Sequence, residues 1–381
     1  MVLADQRDGL IDRYVELKSE LVSYATTGPF RDEWAAMIAP DGVFVGDDET
    51  AMLYTDMFIT SGDKLHGRTL IEHFIADRPE LTDTDRALLR SWDGGAVTQL
   101  YELQGRSGAA VRLCGVLDEL DYTAEVTMGS AMARRLAKAK YLFARLLPVG
   151  QRWVVSGSQL QFSAREEREA LELAAEWAFK LPEVIWRNPA LLAKGWELQC
   201  HDRSLFCEHF GSDVAVFGVD EARERIGEYW KWRFDQGRDG SDEAAPEPFF
   251  PFDEEDLVGV ETVGMLYDEI EGISFVKDYD RLLEVFADPR LVRRRAGKMI
   301  VTDYLKGEEL GPAPLRRAAQ ADPAKADRVF SLLLGRKGFS WERDGEALLR
   351  RYKPNWSETE PRPKQIPFSD RLTEAFKRRR R

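Results

Sequence analysis

The sequence is short of histidine, with 4 in 381 residues, and of cysteine, with 3. Cys114, Cys200 and Cys207 are too few and too unevenly spaced for a disulfide framework, and an odd count strands one thiol in an oxidising compartment. No stretch approaches the roughly eighteen consecutive apolar residues of a membrane-spanning helix. The opening Met-Val-Leu-Ala-Asp-Gln also lacks the basic start and apolar run of a secretory signal. The expected setting is the cytoplasm, with no membrane partner, and the Asn355-Trp356-Ser357 sequon is read as chance. Neither familiar Gly-rich phosphate loop occurs, which lowers the expectation of a nucleotide-dependent enzyme. No nucleophile and base stand in a recognisable motif, so no catalytic residue and no cofactor are expected.

What is present is ample core material. Apolar residues make up 44% and charged residues 32%, with 10 Trp and 20 Phe, so the chain is not of disordered composition. Its length exceeds what one hydrophobic core usually fills, and more than one domain is expected. The net charge of −13 argues at first against a polyanionic partner. It hides an asymmetry: residues 290–381 hold 24 Lys plus Arg against 12 Asp plus Glu, whereas the other 289 hold 30 against 55. The chain is an acidic body with a basic C-terminal quarter.

Periodicity assigns the elements. Residues 1–92 read as a helical segment, with Ile11, Tyr14, Val15, Leu17, Leu21 and Val22 near helical spacing and a short strand or buried loop over 41–48. Thr82 to Asp85 followed by Leu88, Leu89 and Trp92 predicts a capped helix. From 93 to 162 the period falls to two, and five short strands, near 97–103, 109–116, 122–127, 141–147 and 152–160, predict a small closed barrel that leaves few strand edges unpaired. Residues 163–235 read as two helices, 164–178 and 191–210, a short strand 214–217 and a further helix 221–234. Residues 236–252, polar and rich in Gly and Pro, read as a linker. Residues 253–381 read as a mostly helical basic domain, in which Asp322-Pro323 is a helix start with Asp as N-cap. The expected class is α+β: helical N-terminal segment, small SH3-like β-barrel, helical pair with short strand, mostly helical C-terminal domain.

Three groups of residues are candidates for chemistry. Cys200, His201, Cys207 and His209 have the ligand types of zinc. Their spacing along one helix is poor, and buried helix cysteines with partly exposed histidines are the competing reading. The acidic run Asp253 to Asp256, with Glu261, Asp268, Glu269 and Glu271 behind it, has the residue types of a magnesium site or a carboxylate pair, and equally those of solvated surface. Gly335-Arg336-Lys337-Gly338 is a Gly-x-x-Gly loop between two predicted helices, the device by which KH domains clamp a nucleic-acid backbone; an ordinary helix C-cap is the alternative. With Arg293, Arg294, Arg295, Arg350 and Arg351, and with Arg316-Arg317 and Lys377 to Arg381, it forms a potential phosphate-binding surface, unless these charges dock on the acidic body.

Residues 78–213 resemble an arrangement found in uncharacterised bacterial proteins, several of which carry SEC-C-type metal motifs elsewhere. The resemblance rests on Arg78-Pro79-Glu80-Leu81, Leu88, Leu89 and Trp92, Leu142 to Gly150, Trp153, Ser156-Gly157 and Phe210 to Asp213. It implies a helical segment followed by a small barrel and, without a Cys-x-Cys motif here, transfers no functional residue. The expected function is that of a non-enzymatic interaction or regulatory protein with a protein partner. Nucleic-acid binding through the basic quarter and metal-dependent hydrolysis are the alternatives.

Overall fold

The computed structural model describes residues 2–39, 47–237, 247–357, 360–369 and 372–375, with side chains from Gly9 onward except at Glu49 and Ser357. The stretch 41–46, most of the expected linker (238–246) and the terminal run Lys377 to Arg381 lie outside the described residues. The chain divides into two compact units, residues 1–191 with 368–381, and residues 192–367. The α+β class expected from periodicity is the one adopted.

The first unit begins with helices α1 (Val2–Thr26), α2 (Arg31–Ile38) and α3 (Asp48–Thr60). A two-stranded hairpin, β1 (Lys64–Leu65) and β2 (Arg68–Thr69), follows, turning through His66 and Gly67, both at positive φ. Helices α4 (Leu70–Ala76) and α5 (Asp83–Trp92) each start with a capping box, Thr69 with Glu72 and Thr82 with Asp85. Tyr14, Leu17, Leu21, Phe74, Leu89 and Trp92 form the core of this helical layer together with Leu147, Val149 and Val154 of the barrel.

The barrel comprises β3 (Val97–Ser107), β4 (Ala110–Gly115), β5 (Asp121–Glu125), helix α6 (Gly129–Leu136), β6 (Tyr141–Val149) and β7 (Arg152–Phe162). It closes in the order β3-β4-β5-β7-β6, with β5 parallel to β7 and all other pairs antiparallel. Three meandering strands, a helical crossover and a hairpin make this a Greek-key closure, an order shared with OB-type barrels. Five of the first six residues of β3 and nearly all of β6 are buried, because helices cover the outside of these strands as well. Helix α7 (Glu167–Lys180) and a 3₁₀ turn (Pro182–Arg187) complete the layer.

Helix α8 (Pro189–Phe210) leads into the second unit. There β8 (Val214–Gly218), α9 (Val219–Gln236), β9 (Thr262–Asp268) and β10 (Gly272–Lys277) form an antiparallel sheet of order β10-β9-β8 with one helix over it. Central β9 is buried on both faces. Val263, Met265 and Tyr267 join Phe206, Ile226 and Tyr229, whereas Leu266 joins a helical core on the other side. That core is built by α10 (Tyr279–Ala287), α11 (Arg295–Lys306), α12 (Ala313–Gln320), α13 (Pro323–Leu334) and α14 (Trp341–Tyr352), followed by the short α15 (Pro354–Ser357). As expected, Asp322 caps α13, accepting from Lys325 N at 3.1 Å. Among the described residues no helix is long and apolar enough to cross a membrane.

Candidate functional site

In the first unit, a pocket of about 480 Å³ opens between α1, α3, the β5–α6 loop and β7. The spacing of α1 builds one wall: Val15, Lys18, Ser19, Val22 and Thr26 fall three, four, seven and eleven residues apart and share one face. Tyr14, Leu17 and Leu21 turn into the core beside it. On α3, Ala51, Met52, Thr55 and Asp56 line the pocket by the same rule, and Thr60, one turn beyond Asp56, continues the face below it.

The floor is set by strand register. Arg145 of β6 pairs with Thr98 of β3 on one side and Ser156 of β7 on the other, so the three side chains stand in a row on the face of the barrel covered by α1 and α3. Ser156 Oγ accepts from Lys18 Nζ at 2.5 Å and from Tyr14 OH at 3.0 Å. Lys18 is also in contact with Asp56 Oδ1; their side chains are 12% and 5% exposed, so this is a largely desolvated ion pair. The Arg145 guanidinium donates to Thr98 Oγ1 at 2.5 Å, to Thr60 Oγ1 at 2.6 and 3.0 Å and to Thr60 O at 3.1 Å. Lys18 alone is paired with Asp56, while Arg145 is held by the two threonines and feels the Asp56 charge through space.

Gly157 makes the approach of that carboxylate possible. Its φ is +62°, where a strand register shift leaves extra residues in β7, and a Cβ there would lie 3.1 Å from Asp56 Oδ2. Oδ2 is buried and has no hydrogen-bond partner among the described residues. Burial pulls the Lys18 pKa down, and the contact with Asp56 opposes that pull. Burial pushes Tyr14 well up, with the Asp56 charge adding to it, and draws Arg145 down. Tyr14 therefore stays a neutral donor.

The residues singled out by sequence fall elsewhere. Cys200, His201, Cys207 and His209 all lie on α8; Cys200 and His201 are exposed and Cys207 is half-buried. The His209 ring packs on Phe210, Tyr229 and Trp232, and burial lowers its pKa. Among the described residues no group of three or more His, Cys, Asp or Glu is placed to hold a metal ion. The acidic run is spread likewise: Asp256 meets Lys277 at 3.1 Å, and Glu271 turns inward to accept from Ala313 N at 3.0 Å, its pKa raised by burial.

In the Gly-x-x-Gly loop, Gly335 is the left-handed C-cap of α13 at φ +64° and Gly338 has φ +78°. Both meet the backbone demand of a helix-ending turn. Arg336 reaches Asp344 at 3.6 Å, and Arg343 donates to Gly338 O at 2.7 Å. Arg316 and Arg317 are occupied, the first by Glu346 and Glu271, the second by Asp213, which also takes Arg203. Arg351 stacks over Tyr352. Arg293, Arg294, Arg295, Lys337 and Arg350 are exposed.

The Lys18–Asp56 pair escaped sequence reading although a signal exists. A lysine interrupts the apolar stripe of α1 between Leu17 and Leu21, and Asp56 is an acidic residue inside the apolar run Ala51-Met52-Leu53-Tyr54-Thr55-Asp56-Met57-Phe58-Ile59. Opposite charges in two otherwise apolar helix faces are a mark of a buried pair. No family model, no curated protein and no solved structure matches this chain.

Proposed function

We propose that the protein is a non-enzymatic, ligand-responsive interaction protein of the bacterial cytoplasm, with the Lys18–Asp56 pocket as its small-molecule receptor site. The observation that carries this reading is a pocket of drug-ligand size, walled by apolar side chains, with a few convergent polar groups at its floor. The polar groups there, Tyr14, Lys18, Asp56 and Ser156, are joined to one another by hydrogen bonds and an ion pair. Three free thiols fit a reducing compartment. The resemblance of residues 78–213 to bacterial proteins with a small SH3-like barrel belongs to the same reading, since such barrels serve widely as interaction modules.

A panel of small amphiphiles tests it by thermal shift, with Val22→Trp filling the pocket from its α1 wall. Ligands that raise the melting temperature of the native protein but not of Val22→Trp support the receptor site. Shifts that survive the substitution place binding elsewhere and overturn it.

A second reading, nucleic-acid binding by the basic quarter, is favoured by one observation. Arg293, Arg294, Arg295 and Arg350 are exposed and carry no ion pair among the described residues. A fluorescent single-stranded RNA titrated at low and high salt decides it: binding that collapses with salt and with the triple change of Arg293 to Arg295 into Ser supports it, and no binding at low salt removes it.

A further inference from the structure

We propose that the pocket of the first unit selects amphipathic monoanions, molecules with an apolar chain that ends in a carboxylate, and that Lys18 receives the carboxylate. This rests on the receptor reading above and names its ligand class.

The charge arrangement carries the inference. The cluster holds two cations, Lys18, which is paired with Asp56, and Arg145, which is bonded to Thr60 and Thr98, against the one carboxylate of Asp56, and its other polar groups, Tyr14, Ser156, Thr60 and Thr98, are hydroxyls. A desolvated cluster with one cation in excess is electrostatically incomplete, and the missing partner is an anion. Arg145 lies behind Thr60 and Thr98 and spends its donors on them, so it adds field rather than a contact.

Lys18 is the group that reaches the pocket. Its ammonium has three N–H donors. One is held by Asp56 and one by Ser156, which leaves a third without a partner among the described residues. The converse ligand, with a cationic head, would meet the Lys18 ammonium first. Asp56 Oδ1 is taken by Lys18, and Oδ2 is sealed off from solvent under Gly157.

The walls specify the rest of the molecule. Val15, Val22, Met52, Val126, Met132 and Val155 offer an apolar lining, and the unbranched methionines adapt to a flexible chain. Met52 and Met128 stand at the exposed rim. A short polar anion such as acetate or phosphate would leave these walls bare.

Three probes of equal chain length separate the class from the site: decanoate, decan-1-ol and decylamine, each titrated into the full-length protein below its micellar concentration and followed by calorimetry. Decanoate is expected to bind about tenfold or more tightly than either of the others, the advantage of a charge-assisted hydrogen bond. Lys18→Met is expected to weaken decanoate far more than decan-1-ol, so that the roughly tenfold advantage of decanoate disappears. The comparison of the three probes on the unmodified protein stands without that variant. If decan-1-ol or decylamine equals decanoate and Val22→Trp blocks all three, the pocket is a receptor but the anion preference is wrong. If none of the three binds, the receptor reading falls with it.

Discussion

Arg145 and Ser156 are register partners across β6 and β7, and each anchors a different end of the same buried polar patch. Ser156 takes hydrogen bonds from Lys18 and Tyr14, whereas Arg145 gives its own to Thr60 and Thr98. Asp56 is paired with Lys18 and its charge also reaches Arg145, so the patch depends on it more than on either cation.

Asp56→Asn is therefore expected to cost more than Lys18→Met. The first leaves two desolvated cations without a counter-charge, at about 3–5 kcal/mol. The second leaves Asp56 with the charge of Arg145 nearby and costs about 1–3 kcal/mol. Urea unfolding of the two variants gives the order; a larger loss for Lys18→Met would mean that the Asp56 charge does not reach Arg145.

Gly157→Ala places a side chain in the left-handed region and against the Asp56 carboxylate. A loss of about 1–2 kcal/mol is expected from the backbone conformation alone, with more from the contact. In the Asp56→Ala background the contact part of the penalty should vanish, which a double-mutant cycle reads directly. Equal penalties in both backgrounds would show that the carboxylate is not in the way.

The capping box of α5 sets an acid limb. Asp85 accepts from Arg13 Nε at 2.7 Å and from Thr82 N at 3.1 Å, and these bonds hold its pKa down at about 2. Because the folded value lies below that of the unfolded chain, about 3.9, the stabilisation is complete above the unfolded value and disappears as pH falls through about 2. Asp85→Asn should flatten the fall of the urea midpoint between about pH 4 and pH 2 relative to the native protein. An unchanged slope would remove Asp85 as its source.

Asp213 ties the acidic and basic parts of the sequence together inside the second unit, taking Arg203 and, from α12, Arg317. Asp213→Asn should lower the stability of that unit by about 1–3 kcal/mol, since two guanidinium groups lose their acceptor. The loss should shrink in an Arg317→Met background; if it does not, the two residues are uncoupled.

Much of the barrel was legible because its strands alternate or run apolar and are punctuated by turns, and all five appear near their expected places. The helix boundaries at Thr82, Asp322 and Gly335 were legible from capping chemistry. The hairpin at Lys64–Thr69 was not, since His66 occupies a left-handed position that sequence reasoning reserves for Gly or Asn. Gln99 alternates in phase with Val97 and Tyr101 and is fully buried with them, where its Oε1 accepts from Leu117 N at 2.9 Å. The pocket was the least legible part. It is assembled by Lys18, Asp56 and Ser156, which lie 38 to 138 residues apart and meet where α1 and α3 pack against β7. The basic quarter drew attention because its charges are adjacent in sequence, although Arg316 and Arg317 turn out to be spent on internal carboxylates.

The first unit takes residues from both sides of the second. Leu372 and Ala375 are buried, and Phe368 sets its ring edge-on to Phe179 at 5.5 Å. On the ribosome these side chains emerge only after every residue of the second unit has been made. The pocket is lined by α1, α3 and the barrel region alone, but the unit that houses it is completed last, so a chain stalled anywhere in residues 192–367 lacks the tail that buries Leu372 and Ala375 in that unit.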